Sequence, residues 1–151
     1  MSLNDAIAKT TLPVEDLARA KAFYAEKLGL RPTREFAGAL FYEGNGTSGF
    51  LLFPSGAHAS GQHTQMAWFV KDIVASVAKL KSRGIHFEEY DFPGLKTKQG
   101  IADLGYEKAA WFRDSEGNLL ALGQLAQPAA ARSEGSRTRP KSSRKVRPAS
   151  R

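Results

Sequence analysis

The stretch TLPVEDLARAKAFYAEKLGL, residues 11–30, predicts the end of a strand, a helix start, a helix and a helix end in direct succession. The strand is predicted over 7–14. Asp16 can accept hydrogen bonds from free N–H groups of a first helical turn, so it predicts where the helix starts. Gly29 predicts where the helix ends. Between them, apolar residues recur at helical spacing on one face, namely Leu17, Ala20, Phe23, Tyr24 and Leu28.

The same order of signals occurs twice in the chain. Strands predicted over 33–36, 39–43 and 49–53 complete a first β-α-β-β-β unit. A second unit starts with a strand over 65–70 and a helix from Asp72 to Gly84, and it continues with strands over 86–90, 108–113 and 119–125. The pair Val14-x-Asp16 is repeated 56 residues later as Val70-x-Asp72. The sequence therefore predicts one unit used twice, with modules at about 6–54 and 63–125.

Composition excludes several classes of protein. The chain has 151 residues, of which 42% are hydrophobic and 25% charged, as expected for one soluble globular domain. No apolar run reaches the roughly 18–20 residues that cross a bilayer, so we expect no membrane span. The absence of Cys excludes disulfides, Cys-ligated zinc and a thiol nucleophile. The first ten residues do not resemble a secretory signal, so we expect a cytoplasmic protein.

The net charge of +7 comes from the last 26 residues. Segment 126–151 contains eight basic residues, one acid and no aromatic residue, whereas 1–125 is formally neutral. Such a segment buries too little apolar surface to become ordered, so we expect a disordered basic tail. A basic tail can bind nucleic acid electrostatically. We consider a solvated extension the better interpretation, because the tail lacks aromatic residues to stack on bases.

Three sets of motifs resemble the vicinal oxygen chelate superfamily, which contains glyoxalases, bleomycin resistance proteins and extradiol dioxygenases. The first set is Thr11-Leu-Pro-Val-Glu-Asp-Leu17 with Ala22-Phe-Tyr24 and Leu28-Gly-Leu30. The second is Phe69-Val-Lys-Asp-Ile73 with Arg83-Gly-Ile85. The third, Trp111-Phe-Arg-Asp-Ser-Glu-Gly-Asn-Leu119, resembles the closing hairpin of the family, with Ser115 and Glu116 replacing the usual Pro and Asp.

The resemblance implies an α+β fold in which two βαβββ modules pair into a curved, trough-forming mixed β-sheet with helices on the outside. In metal-using members, four side chains in the trough bind a divalent ion. The corresponding positions here are Lys9, Leu52, Gln65 and Ala121, with the register of Leu52 uncertain by one or two residues. Since an ammonium, two aliphatic groups and an amide make a poor ligand set, we expect no metal and no cofactor.

Strand alternation predicts which side chains face the trough. Lys9, Thr11, Gln65, Ala67, Trp111 and Ala121 share that face with Ala109, Leu119 and Gly123, whereas Leu120, Leu122 and Phe112 face the helices. Trp111 supplies an aromatic wall, and small residues beside it leave room for a ligand. The same residues could instead merely fill the interior. Lys9 could bind an anionic ligand or act as a base, or it could extend to solvent.

Two further features were candidates for the site. Segment 92–107 is long for a connection and predicts a lid over the trough, or an arm that packs against a second module or subunit. His63 lies two residues before Gln65 and could contact a trough ligand, whereas His58 lies in a glycine-rich loop and His86 is expected at the surface.

These features favour a protein that binds a small organic molecule in a metal-free trough. The alternatives are a metal-dependent lyase or dioxygenase of the same superfamily, metal-free proton transfer with Lys9 or Glu43 as base, and a protein that associates with nucleic acid through its tail. A homodimer is expected by analogy with the fold family.

Overall fold

The structure is a computed structural model that describes residues 3–56, 59 and 61–127. A 3-10 turn, Leu3–Asp5, precedes the first module. That module consists of β1 (Thr10–Val14), α1 (Leu17–Phe23), a π-helical turn (Tyr24–Leu28), β2 (Arg34–Phe36), β3 (Ala39–Glu43) and β4 (Gly49–Pro54). Its four-stranded sheet has the order β1-β4-β3-β2, with β1 and β4 parallel.

The second module repeats this topology with extra strands. It consists of β5 (Met66–Phe69), α2 (Ile73–Ser82), β6 (Asp91–Phe92), β7 (Leu95–Lys98), β8 (Ile101–Asp103), β9 (Glu107–Arg113) and β10 (Leu119–Leu125). The sheet order is β5-β10-β9-β8-β7-β6, with β5 and β10 parallel. The predicted α+β fold with a repeated βαβββ order is confirmed. The strands form two mixed sheets, neither of which closes into a barrel.

Both helix starts form as the sequence predicts. The Asp16 carboxylate accepts a hydrogen bond from the Arg19 amide at 2.9 Å, and Asp72 accepts one from the Ala75 amide at 3.0 Å. Gly29 ends the first helical segment with a left-handed φ of 72°. The predicted uninterrupted first helix is wrong in one respect, because after Phe23 it continues as a π-helical turn.

The segment 92–107, expected as one long connection, contains strands β7 and β8 of the second sheet. Its role as a lid or as a packing arm stays a prediction. Gly94 and Gly100, with φ of 85° and 84°, form tight turns on either side of β7. Charged residues lie between the apolar ones in this segment, so the sequence shows no pattern typical of strands there. The strand predicted over 86–90 is reduced to one bridge between Phe87 and Phe112.

One hydrophobic core joins the two modules. It contains a chain of aromatic rings. The ring centroids of Tyr42 and Phe50, which stack, lie 4.7 Å apart, those of Phe50 and Trp68 lie 5.9 Å apart, and those of Trp68 and Phe112 lie 6.4 Å apart. The contact between Phe50 on β4 and Trp68 on β5 crosses from one module to the other. Each helix therefore packs on its own sheet within a shared apolar layer.

Hydrogen bonds also join the β9–β10 turn to the first module. The Tyr24 hydroxyl donates to Asp114 at 2.9 Å. Glu116 accepts from the backbone amides of Glu15 and Asp16 and from the Arg19 guanidinium. The turn that resembles the closing hairpin of the family thus fixes how the modules pack.

Two predictions concern other parts of the chain. Most of the expected basic tail, from residue 128 onward, lies outside the described residues, as does His58. In the part of the chain that the structure describes, no helix is long and apolar enough to cross a membrane.

Candidate functional site

The face of the second sheet that points away from α2 brings three predicted site residues together. Ala121 on β10 lies opposite Ala67 on β5 and opposite Trp111 on β9. Leu120 and Phe112, one residue along each strand, are fully buried in the core. The predicted alternation in the second module is therefore confirmed.

A cavity of about 490 Å³ lies beside Trp111. The Trp111 indole Nε1 donates a hydrogen bond to the Thr64 hydroxyl at 3.0 Å, and the Tyr90 ring meets the indole edge to face at 5.6 Å. These contacts hold the indole in one orientation. We call this space the Trp111 cavity; its lining is Gln62, His63, Thr64, Glu88, Tyr90, Phe92, Leu95, Trp111, Arg113 and Leu119.

Arg113 and Glu88 supply fixed charges to the Trp111 cavity. The guanidinium lies 3.3 Å from the Glu88 carboxylate and donates hydrogen bonds to the carbonyl oxygens of Gly61 and Gly117. Burial, helped by the charge of Glu88, raises the pKa of the Tyr90 hydroxyl. The cavity therefore presents a protonated phenol and a paired cation next to aromatic rings.

Lys9 lies in a different space, a cleft of about 770 Å³ between the start of β1, the β3–β4 turn and β5. Ala67 lines this cleft as well. The Lys9 ammonium lies 3.6 Å from the Glu43 carboxylate at the end of β3, so its charge already has a partner within the first module. Lys9 and Trp111 line separate cavities, although the sequence places both in one trough.

The Tyr42 hydroxyl is buried in the wall of the Lys9 cleft. It has no hydrogen-bond partner among the described residues, and the residue is 4% exposed. Burial, assisted by the charge of Glu35, raises the pKa of this hydroxyl to about 12. A buried hydroxyl without a hydrogen-bond partner destabilises the fold. A ligand group that forms a hydrogen bond with it would therefore bind more tightly.

The remaining predicted site residues have three different environments. Thr11 is exposed on β1, opposite Leu51 of β4. The Gln65 side-chain oxygen accepts a hydrogen bond from the Leu119 amide at 3.2 Å, which turns it toward the sheet. The predicted position of Leu52 in the trough is wrong. Leu52 is fully buried in the core opposite Leu12, so the predicted register of β4 is shifted by one residue.

The side chains at the four expected metal positions do not fit a divalent cation. Lys9 offers an ammonium, Leu52 and Ala121 offer no donor atom, and the Gln65 oxygen already accepts from the backbone. Within residues 3–56, 59 and 61–127, no three His, Asp or Glu side chains form a group that could hold a metal ion. We therefore derive no metal-dependent step.

The sequence did not reveal several residues that line these cavities. Tyr90, Phe92 and Leu95 reach the Trp111 cavity because β6 and β7 extend the sheet, which periodicity did not show. Tyr42 alternates on β3 with Phe41 and Glu43, which are more exposed. This alternation places Tyr42 in the core but does not reveal that its hydroxyl lacks a partner.

Comparison with known proteins identifies the family. The sequence model of the Glyoxalase/Bleomycin resistance protein/Dioxygenase superfamily matches residues 6–122, most of the chain. The chain belongs to this superfamily. A search of curated protein sequences finds no significant match.

Solved structures share the fold of this superfamily member at low sequence identity. A glyoxalase/bleomycin resistance protein/dioxygenase from Nocardioides has 20% identity and a TM-score of 0.60, over 82% of this chain and 85% of its own. A glyoxalase family protein from Enterococcus faecalis has 23% identity and a TM-score of 0.60, over 81% and 99%. The fosfomycin resistance protein FosX from Listeria monocytogenes has 14% identity and a TM-score of 0.58, over 81% and 94%.

Proposed function

We propose that this superfamily member binds a small organic molecule in the Trp111 cavity without a metal ion. The proposal rests on one combined observation: aromatic rings line the Trp111 cavity, and the residues at the four expected metal positions lack suitable donor atoms. Binding then depends on apolar contact with the aromatic rings and on a few fixed polar groups. A resistance-type role, in which the protein sequesters the molecule, requires no further chemistry.

The Trp111 cavity has the composition of a small-molecule site. Its volume falls within the range of roughly 300–1,000 Å³ that is usual for such sites. Tyr90, Phe92 and Trp111 supply aromatic surface, while His63 and the Arg113–Glu88 pair supply the polar groups. Since the described residues give Tyr90 no hydrogen-bond partner for its hydroxyl, a ligand acceptor would fit beside it.

The Lys9 cleft is a second contact region in the proposal. Lys9 and Ala67 line it, and the buried Tyr42 hydroxyl without a partner lies in its wall. Thr11, two residues after Lys9 on β1, does not line the cleft. A ligand with a polar group at this end would satisfy the Tyr42 hydroxyl. Leu52, by contrast, is removed from the set of proposed contacts because it is buried in the core.

The test is a thermal-shift screen of the full chain against a library of small metabolites and antibiotics. A hit is then titrated into Trp111→Ala and into Tyr106→Ala, a matched control in which an exposed aromatic side chain outside the cavity is truncated. We expect Trp111→Ala to weaken binding by about tenfold or more. Equal binding by wild type and Trp111→Ala would contradict the proposal.

We further propose that the protein is a cytoplasmic homodimer. Phe69 and Leu125 are 64% and 60% exposed on the face of the second sheet that points away from α2, and Phe36 is 67% exposed on edge strand β2. A second copy is the occupant we propose for these apolar surfaces. Light scattering should give twice the chain mass, and Phe69→Lys should shift the mass toward that of the monomer. A monomeric wild-type protein at micromolar concentration would contradict this part.

A further inference from the structure

A third cavity, of about 230 Å³, lies on the opposite side of the second sheet, between the sheet, α2 and the end of the π-helical turn. We call it the helix-side cavity. It is distinct from the Trp111 cavity because Trp111 and Phe112 point to opposite faces of β9. Its lining is Leu28, Leu30, Trp68, Val70, Ser76, Lys79, Leu80, Arg83, Phe112 and Leu122.

The wall of the helix-side cavity is apolar except on the α2 side. Seven of its ten lining residues are aliphatic or aromatic, and the three polar ones, Ser76, Lys79 and Arg83, all belong to α2 or its C-terminal cap. Apolar walls with polar groups on one side suit an elongated ligand with one polar end.

The polar groups of this cavity include two cations without an acidic partner. The Arg83 Nη1 atom lies 2.9 Å from the point where a Cβ on Gly29 would be, so the guanidinium spans from α2 to the end of the π-helical turn. In the part of the chain that the structure describes, neither Lys79 nor Arg83 forms an ion pair with a carboxylate. Positive charge beside apolar walls favours an anionic ligand with an apolar body.

The π-helical turn forms part of the cavity wall. It ends at Leu28, and the left-handed Gly29 then directs Leu30 into the same cavity. Single π-helical turns within α-helices are rare and frequently lie at functional sites. Here the turn ends at Leu28, directly before Gly29 and beside the Arg83 guanidinium, so it shapes this end of the cavity.

We propose that the helix-side cavity binds an organic monocarboxylate of about eight carbon atoms. At about 30 Å³ per water-sized group, the cavity volume has room for about eight such groups. The apolar body lies against Trp68, Leu80 and Phe112, and the carboxylate meets Arg83 and Lys79. The basic tail of this chain is an unsuitable occupant because its charge has the same sign as these two side chains.

The experiment uses octanoate as the probe and the two Trp residues as reporters. In full-length Trp111→Phe, the remaining Trp68 reports on the helix-side cavity, and a bromine-labelled octanoate that binds there quenches its fluorescence. In Trp68→Phe, the remaining Trp111 reports on the other face of the sheet. Trp68 also lines the Lys9 cleft. Substitutions of Arg83 and Ser76, which line the helix-side cavity and not that cleft, therefore assign the quenching to the helix-side cavity and separate this inference from the proposed function.

We expect saturable quenching of Trp68 by the bromine-labelled octanoate and competition by unlabelled octanoate. A bromine-labelled amine of equal length should give no saturable quenching. Arg83→Gln in the Trp111→Phe background should weaken binding by about tenfold, because it removes a charged hydrogen-bond donor. Ser76→Leu, which adds volume inside the cavity, should also weaken it. Lys98→Gln, which removes an exposed cation outside the cavity, should have less than a twofold effect.

Three outcomes would overturn the inference. They are the absence of saturable Trp68 quenching, equal effects of Arg83→Gln and Lys98→Gln, and quenching of Trp111 in place of Trp68. Circular dichroism of each variant confirms that loss of binding does not reflect unfolding.

Discussion

The side-chain amide of Asn118 donates a hydrogen bond to the backbone carbonyl oxygen of Pro13, with 3.0 Å between the two atoms. The same nitrogen lies 2.8 Å from the Asp114 carboxylate, and Asn118 is fully buried. One side chain thus joins the last hairpin of the second module to the first strand of the first module. The positions of Lys9 on one sheet and Trp111 on the other depend on this connection.

Asn118→Ala should destabilise the whole domain. The substitution leaves the Pro13 carbonyl without its buried donor and removes a donor to Asp114, so we expect a loss of about 2–3 kcal/mol in the free energy of unfolding. Urea denaturation monitored by circular dichroism measures this loss. Asn45→Ala, in the exposed β3–β4 turn, is the matched control and should change the stability by less than about 0.5 kcal/mol. Similar effects of both substitutions would argue against the importance of this connection.

The interface between the modules should weaken in acid through Glu116. Its side chain is 1% exposed. Burial disfavours its charge, but hydrogen bonds from Arg19, from the Asp16 amide and from Ser115 outweigh this and lower its pKa from 4.5 to about 2. Because the folded-state pKa lies below the unfolded one, the stabilisation is fully present above about pH 4.5 and is lost as the pH falls toward about 2.

The measurement for Glu116 is a series of urea-unfolding midpoints from neutral pH downward. Wild type should lose stability below about pH 4.5, whereas Glu116→Gln should start less stable at neutral pH and show a flatter profile in this range. Parallel pH profiles for the two proteins would show that another group is responsible.

Lys9→Met separates two roles for the ammonium. Its pair with Glu43 spans 3.6 Å and is partly exposed, so its loss should change the free energy of unfolding by less than about 1 kcal/mol. If Lys9 contacts the ligand, Lys9→Met should lower the affinity for a screening hit that carries a carboxylate, while the free energy of unfolding changes little. Unchanged affinity together with unchanged stability would remove Lys9 from the site.

Gly29→Ala tests the backbone at the end of the π-helical turn. A side chain at a φ of 72° costs about 1–2 kcal/mol, and the new Cβ would also displace the Arg83 guanidinium. Gly56→Ala is the control, because a Cβ there meets nothing within 4 Å. Thermal denaturation should separate the two variants, and equal melting temperatures would contradict the role assigned to Gly29.

Local signals in the sequence determined most of the fold. Asp16 and Asp72 start helices through interactions with residues three positions away, and short-range effects of this kind can be inferred from the sequence alone. The alternation of Trp111 and Phe112 assigned each to the correct face because β9 is regular. The resemblance to the family supplied the pairing of the modules.

The parts that the sequence could not predict depend on long-range packing. Leu52 was placed on the wrong face because the register of β4 is set by its pairing with β1 and β3. The separation of Lys9 and Trp111 into different cavities follows from how the two sheets meet. Between Phe92 and Glu107, β8 pairs with β9 and β7 pairs with β8, and this pairing overrides a sequence typical of a loop.

The most direct test of the account is the melting temperature of the full chain with Ni²⁺, Zn²⁺, Mn²⁺ or Fe²⁺ and, separately, with an organic hit from the screen. A ligand present at about 100 times its Kd should add about 2.7 kcal/mol to the stability. We predict that the organic hit raises the melting temperature with or without metal, and that the rise falls to about half or less in Trp111→Ala, as a tenfold or greater loss of affinity requires. A rise caused by a metal ion alone would contradict the claim that the Trp111 cavity binds its ligand without a metal ion.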